Sequence, residues 1–202
     1  MELREALTQI TEIRLQLART EVFRGYRAMP VAFSGGVALL AALIQAGTIA
    51  DPASQIGPYL VLWIGAAFVS ALAAGLEMMI RARNAGSPMT RELTWLAVEQ
   101  FCPSLLAGAL VTVVLLRAAP ESLWMLPGLW QIFFALGIFA SCRLLPKQTF
   151  WVAVFYLGTG LAVLAVAHGE AALSPWLMGL PFGAGQLLAA TVLYRTLERN
   201  HV

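Results

Sequence analysis

Residues 122–142 read SLWMLPGLWQIFFALGIFASC, a stretch without a charged side chain between Glu121 and Arg143. A transmembrane helix needs about 20 mostly apolar residues because the hydrocarbon layer of a membrane is about 30 Å thick. This stretch is long enough, and it lacks the period-two alternation of a barrel strand. Because lipid offers no partner to unpaired backbone groups, the sequence predicts a membrane-spanning helix here.

The same pattern recurs along the chain. A sixth apolar segment, at 93–116, is interrupted by one charged residue, Glu99. The other uncharged stretches lie between Arg27 and Asp51, Asp51 and Glu77, Lys147 and Glu170, and Glu170 and Arg195. We therefore predict an all-α polytopic membrane protein whose residues 28–196 form a bundle of six transmembrane helices.

The composition supports this class. The chain has 202 residues, of which 59% are hydrophobic and 12% are charged, with a mean hydropathy of +0.76. A soluble domain is about 45–50% apolar and about 25% charged. Such a surplus of apolar side chains excludes an ordinary soluble enzyme, a nucleic-acid-binding domain and a disordered protein, and predicts contact with the lipid bilayer.

Basic residues are concentrated in alternate loops. Of the 13 Lys and Arg side chains, only Arg117 falls in a loop of the other set. Loops rich in positive charge stay on the cytoplasmic side, so we predict that both termini are cytoplasmic, including a short tail at 197–202. The preference for arginine over lysine favours a bacterial inner membrane.

Residues 1–27 are predicted to form a separate amphipathic helix. Its apolar side chains recur at steps of three and four, from Leu3 to Leu17, which places them on one face. Three interpretations remain: the helix lies on the inner membrane surface, pairs with a second copy, or docks a cytoplasmic protein. Residues 2–20 are thus the predicted partner surface, and nucleic acid is not a predicted partner because no dense basic patch exists.

Carboxyl groups inside the predicted spans are candidate functional groups, because charge in the hydrocarbon is costly and is expected to face the bundle interior. Glu77 lies near the end of the second span, and Glu99 and Gln100 lie early in the third. These spans run in opposite directions, which predicts similar depths for the two carboxylates. Pro103 has no N–H and frees the Glu99 carbonyl, an arrangement that suits a cation or a proton.

A structural interpretation of the same groups stays open. Glu77 then pairs with Arg81, Arg83 or Arg143 at the membrane surface. Glu99 then hydrogen-bonds across helices as a protonated acid.

Three amides form a second candidate set. Gln45, Gln131 and Gln186 each lie on the small-residue face of a predicted helix, so three helices are predicted to present amides to one cavity. The alternative is hydrogen bonding between helices.

The sixth span contains Gly179, Pro181 and Gly183 near its middle. These residues weaken a helix and predict an interruption of the kind that often marks a binding site in transporters. The alternative is close helix packing through Gly179 and Gly183. A ladder of small residues on the first span, at Ala38, Ala42, Ala46 and Ala50, is a candidate packing face.

The remaining side chains indicate packing rather than chemistry. Trp63 and Trp130 lie deep enough in their spans to be packing residues. Cys102 and Cys142 are predicted at different depths, which argues against a disulfide, and no cofactor or metal site is predicted. His168 is a single histidine near a span end.

The leading functional hypothesis is a membrane protein that binds or moves a small solute, a cation or a proton. Its site is predicted from Gln45, Glu77, Glu99, Gln100, Gln131, Arg143 and Gln186, with helix breaks at Pro103, Gly179, Pro181 and Gly183. The second hypothesis is a membrane sensor or regulatory subunit that signals through the N-terminal helix. The third is an intramembrane enzyme with Glu77 and Glu99 as acid and base, which is disfavoured because the chain lacks a nucleophile set, a nucleotide-binding loop and a metal-binding motif.

Overall fold

A computed structural model describes residues 28–84 and 88–198. The predicted N-terminal helix at 1–27 lies outside the described residues. The long helices are α1 (Ala28–Thr48), α2 (Ile56–Asn84), α3 (Pro88–Ala118), α4 (Leu126–Ser141), α5 (Thr149–Val166) and α6 (Pro175–Leu193). Shorter helical segments are the 3₁₀ helices Pro120–Met125 and Gly169–Leu173 and the π-helical turn Tyr194–Glu198.

Six helical segments of the described chain are long and apolar enough to cross a membrane. The predicted all-helical fold with six spans is therefore confirmed at this level. Proline sets two of the starts, since Pro127 and Pro175 occupy first-turn positions where no N–H is needed. The loop before α2 is closed by Asp51, whose carboxylate accepts the N–H groups of Ala53 at 3.0 Å and Ser54 at 3.3 Å.

The helices follow one another around the bundle in the order α2, α1, α6, α5, α4, α3. The most extensive contact is between α1 and α6, and the next is between α4 and α5. Helices α2 and α3 lie at the periphery, where 17% and 11% of their spans are buried, against 33–39% for the other four. Their exposed apolar side chains, among them Val61 and Leu110, form the surface that lipid covers.

Glycines set the closest approach in both extensive contacts. A Cβ at Gly179 would meet the Cβ of Ala42, and one at Gly183 would lie 2.8 Å from the Leu39 side chain. In the α4–α5 pair, a Cβ at Gly160 would lie 2.8 Å from the Gly128 carbonyl oxygen. Close packing through Gly179 and Gly183, the alternative interpretation of the sixth span, is confirmed.

The predicted helix breaks are wrong. Helix α6 runs without interruption through Gly179, Pro181 and Gly183, and α3 runs through Pro103. A proline removes one hydrogen bond from a helix without ending it when neighbouring groups pair the freed carbonyl. In α6 the freed carbonyl is that of Leu177, and the group that pairs it is the side chain of Gln131 on α4.

Candidate functional site

The candidate site is a network of amide hydrogen bonds near the end of the bundle that carries the two 3₁₀ helices, referred to as the 3₁₀ end. Gln45 of α1 is fully buried. Its Nε2 donates to the Leu173 carbonyl oxygen at 2.7 Å, and its Oε1 accepts from Trp63 Nε1 at 2.7 Å. The Leu173 carbonyl is available because the Leu177 N–H bonds Ser174 instead. Both ends of the Gln45 amide are therefore paired.

Gln131 of α4 approaches α6 one helical turn further along. Its Nε2 donates to the Leu177 carbonyl oxygen at 2.9 Å. That carbonyl would bond the N–H of residue 181 in a regular helix, but Pro181 has none. Gln131 is fully buried, and its Oε1 has no hydrogen-bond partner. The amide thus completes the backbone of α6 and keeps one buried acceptor open.

Two aromatic side chains of α2 border the network. Trp63 donates to Gln45, and Tyr59 lies one turn away on the same helix face. Tyr59 is fully buried, and its hydroxyl has no partner. A buried polar group without a partner costs about 1–3 kcal/mol, so two such groups in one region call for an explanation.

An aromatic cluster lies beside the network, towards the middle of the bundle. Phe134 contacts Phe101, Tyr156 and Phe182, with ring centroids 5.3, 4.9 and 5.5 Å away. The Tyr156 hydroxyl donates to the Phe182 carbonyl oxygen at 3.3 Å. Gly185 packs directly against the Tyr156 ring, where a Cβ would overlap ring atoms. Side chains of α4 and α5 therefore bond to α6 on either side of Pro181.

The three predicted amides do not share one cavity, so that expectation is wrong. Gln45 and Gln131 donate to carbonyls four residues apart, that of Leu173 just before α6 and that of Leu177 in its first turn. Gln186 lies nine residues beyond Leu177, about 13 Å by helical rise, and its Cβ lies 3.1 Å from where a Cβ on Gly35 would be. Interhelical hydrogen bonding, the alternative interpretation, is confirmed for Gln45 and Gln131.

The predicted interior position of Glu99 is also wrong. Glu99, Cys102 and Pro103 are exposed on the outer face of α3. The buried residues Ala97 and Thr112 belong to a different face of this helix, which also presents Phe101 and Gly108 to α4. These side chains match the surface of α4, and that match rotates Glu99 away from the bundle.

The other residues predicted to form a site with Glu99 differ in their burial. Glu77 is half-buried and Arg143 is exposed. Gln100 is half-buried, and its Oε1 is buried without a partner. Cys102 and Cys142 are free thiols, and burial raises the pKa of the Cys142 thiol.

Among the side chains whose burial the structure describes, the buried polar ones are all neutral: Gln45, Thr112, Gln131, Ser141 and Thr149. Neutral amides and hydroxyls bind by hydrogen bonding rather than by ion pairing. Trp130 donates to Thr112 Oγ1 at 2.9 Å, so both tryptophans that the sequence assigns to packing also donate hydrogen bonds.

The sequence interpretation missed Tyr59 and the hydrogen bond that Trp63 donates to Gln45. It also missed the hydrogen bond from Gln131 to the Leu177 carbonyl, which Pro181 leaves without a backbone partner. One signal for the last was available. Pro103 frees the carbonyl of Glu99, four residues earlier, and by the same rule Pro181 frees the carbonyl of Leu177. A freed carbonyl in a membrane needs a donor. No protein family, curated protein or solved structure matches this chain.

Proposed function

We propose that this multi-pass membrane protein binds or moves a small polar solute, and that the amide network at the 3₁₀ end is its site. The observation that carries the proposal is the fully buried Oε1 of Gln131, which has no partner. Gln45 of α1, which bonds the Leu173 carbonyl four residues before Leu177, shows that the fold pairs both ends of an amide where the amide is structural. The open acceptor of Gln131 therefore indicates a ligand.

The chemistry of the site defines the class of solute. An amide oxygen accepts a hydrogen bond, so the solute carries an N–H or O–H donor. A neutral solute is favoured because the described buried side chains include no charge to balance an ion. The Tyr59 hydroxyl is a second open group, which donates or accepts.

The groups nearer the opposite end extend this proposal. The open Oε1 of Gln100 is a further acceptor, and Glu77 is half-buried on the neighbouring helix. We assign these two residues to the path by which the solute leaves or reaches the network. Glu99 and Arg143 are outside this path because both side chains are exposed.

Solute uptake tests the proposal in liposomes that contain the purified protein, with urea, acetamide and glycerol as probes in osmotic reswelling measurements. We expect faster reswelling than in empty liposomes for at least one probe. Gln131→Leu is expected to lower that rate at least tenfold, because it removes the open acceptor. Glu99→Gln keeps the shape of an exposed side chain and is expected to leave the rate unchanged.

Two results would overturn the proposal. One is a set of reswelling rates equal to those of empty liposomes for all three probes. The other is a rate that Glu99→Gln abolishes and Gln131→Leu does not change, since the site would then lie at the carboxylates.

The proposed location is a bacterial inner membrane with both termini cytoplasmic, supported by the alternation of basic loops. Alkaline phosphatase is active only in the periplasm, so its fusion after Val202 is expected to be inactive and its insertion near Glu121 active. The reverse pattern of activity would show the opposite orientation. Measurement of the protein level in each strain controls for expression.

A further inference from the structure

The packing divides the six helices into two groups. The first group contains α1, α2 and α6, and the second contains α3, α4 and α5. Within the groups, α6 packs along α1 and α2 packs on α1, while α5 and α3 pack on either side of α4. Between the groups, α6 has only short contacts with α5 and α4, and α2 has a short contact with α3.

The contacts within the groups are rigid. Glycines bring the helices together at Gly179 against Ala42 in the first group and at Gly160 against Gly128 in the second. The atoms that meet there are backbone atoms or the first side-chain carbon, which cannot move aside without moving the helix. Each group is therefore expected to move as one body.

The interface between the groups is held differently. Side-chain hydrogen bonds of described residues cross it from Gln131 to the Leu177 carbonyl at 2.9 Å and from Tyr156 to the Phe182 carbonyl at 3.3 Å. Both acceptors are in α6 and flank Pro181, where the helix lacks one backbone hydrogen bond. Hydrogen bonds between helices in a membrane contribute about 0.6 kcal/mol each on average. Aromatic contacts of Phe182 with Phe134 and Tyr156 also cross it, so side chains rather than closely packed backbone hold this interface.

The open polar groups lie along the same interface. Gln131 belongs to the second group, and Tyr59 of the first group is in the same buried cluster as Leu126, where the second group begins α4. Both side chains are fully buried, so a solute reaches neither unless the groups separate. The described conformation is closed.

We infer that the two helix groups move against each other along the interface between α6 and the α4–α5 pair, and that the Gln131 and Tyr156 hydrogen bonds to α6 hold the closed state. This inference rests on the proposed function, because the motion gives the solute access to Gln131. Relative motion of packed bodies is a general way to open a site.

Spin-label distances test the inference in the full-length protein in lipid nanodiscs, in a background of Cys102→Ser and Cys142→Ala. Labels at the exposed positions Val61 and Leu161 measure the distance across the interface. Labels at Val61 and Leu180 measure the first group, and labels at Leu110 and Leu161 measure the second. We expect the distance distribution across the interface to contain two populated distances, and the distribution within each group to contain one.

Tyr156→Phe removes only the hydroxyl that crosses the interface, and Tyr59→Phe is its matched control, because the Tyr59 hydroxyl bonds nothing. Removal of a hydrogen bond that contributes about 0.6 kcal/mol changes the ratio of two populations about threefold. Tyr156→Phe is therefore expected to raise the population at the second distance across the interface about threefold, and Tyr59→Phe to leave that population unchanged.

The outcomes separate the inference from the proposed function. If Tyr156→Phe gives the same distances as the wild type, or if the distances within a group change as much as those across the interface, the inference is overturned. Solute uptake through Gln131 still stands in that case. If the distances respond as expected but no probe enters the liposomes, the proposed function fails and the motion stands.

Discussion

Gly179→Ala is expected to destabilise the bundle more than a glycine-to-alanine substitution at any other described glycine of α6. The new Cβ would overlap the Ala42 Cβ. Neither carbon has a rotatable bond that moves it, so α1 and α6 must separate along their whole contact. Overpacking of a tight core costs about 1–3 kcal/mol, and separation also lengthens the hydrogen bond from Gln45 to the Leu173 carbonyl.

The thermal unfolding midpoint in detergent, followed by tryptophan fluorescence, measures this effect. Gly158→Ala is the control, because no atom lies within 4 Å of a Cβ at that position on α5. Ala42→Gly in the Gly179→Ala protein is the rescue variant, because it returns the missing space from the other helix. A Gly179→Ala midpoint equal to that of Gly158→Ala, or no recovery in the double variant, would show that this contact does not set the helix separation.

Gln131→Leu is expected to cost about 1–2 kcal/mol of unfolding free energy, because it leaves the Leu177 carbonyl without a donor in apolar surroundings. The cost is expected to fall in a Pro181→Ala protein. Alanine at 181 restores the backbone N–H that bonds Leu177, so the amide of Gln131 is no longer needed there. A coupling of about 1 kcal/mol between the two substitutions is the expected result, since both act on one acceptor.

A double-mutant cycle measures this coupling, from the unfolding free energies of the wild type, both single variants and the double variant. Gln45→Leu is the matched control. It removes an amide of the same size that bonds Leu173, a carbonyl that Pro181 does not affect, so its cost is expected to be equal in both backgrounds. Additive effects of Gln131→Leu and Pro181→Ala would refute the role assigned to Gln131.

Much of the candidate site was predictable because membrane burial makes each polar side chain conspicuous. Gln45 and Gln131 are recognisable from their position on small-residue faces. Their partners are not, because both amides bond backbone carbonyls, which every residue carries and which the sequence does not distinguish. The exception is Leu177, whose carbonyl is marked by Pro181 four residues later.

Glu99 shows the opposite case. Its carboxyl group lies inside a predicted span, which predicted that it faces the bundle interior. In the structure the side chain of Phe101 faces the bundle instead, with its ring edge against Gly137 of α4. A bulky residue that fits a glycine on the facing helix buries apolar area, and only the partner helix shows which fit is available.

The sequence by itself determined the class of protein and the number of spans, because hydropathy is summed over a local window and the thickness of the membrane sets the length. The tertiary structure alone decided the rotation of each helix about its axis. That rotation depends on the match between two surfaces distant in sequence, such as Gly179 with Ala42 and Phe101 with Gly137. It pairs the Gln45 amide completely, leaves the Gln131 oxygen open, and turns Glu99 to the outside.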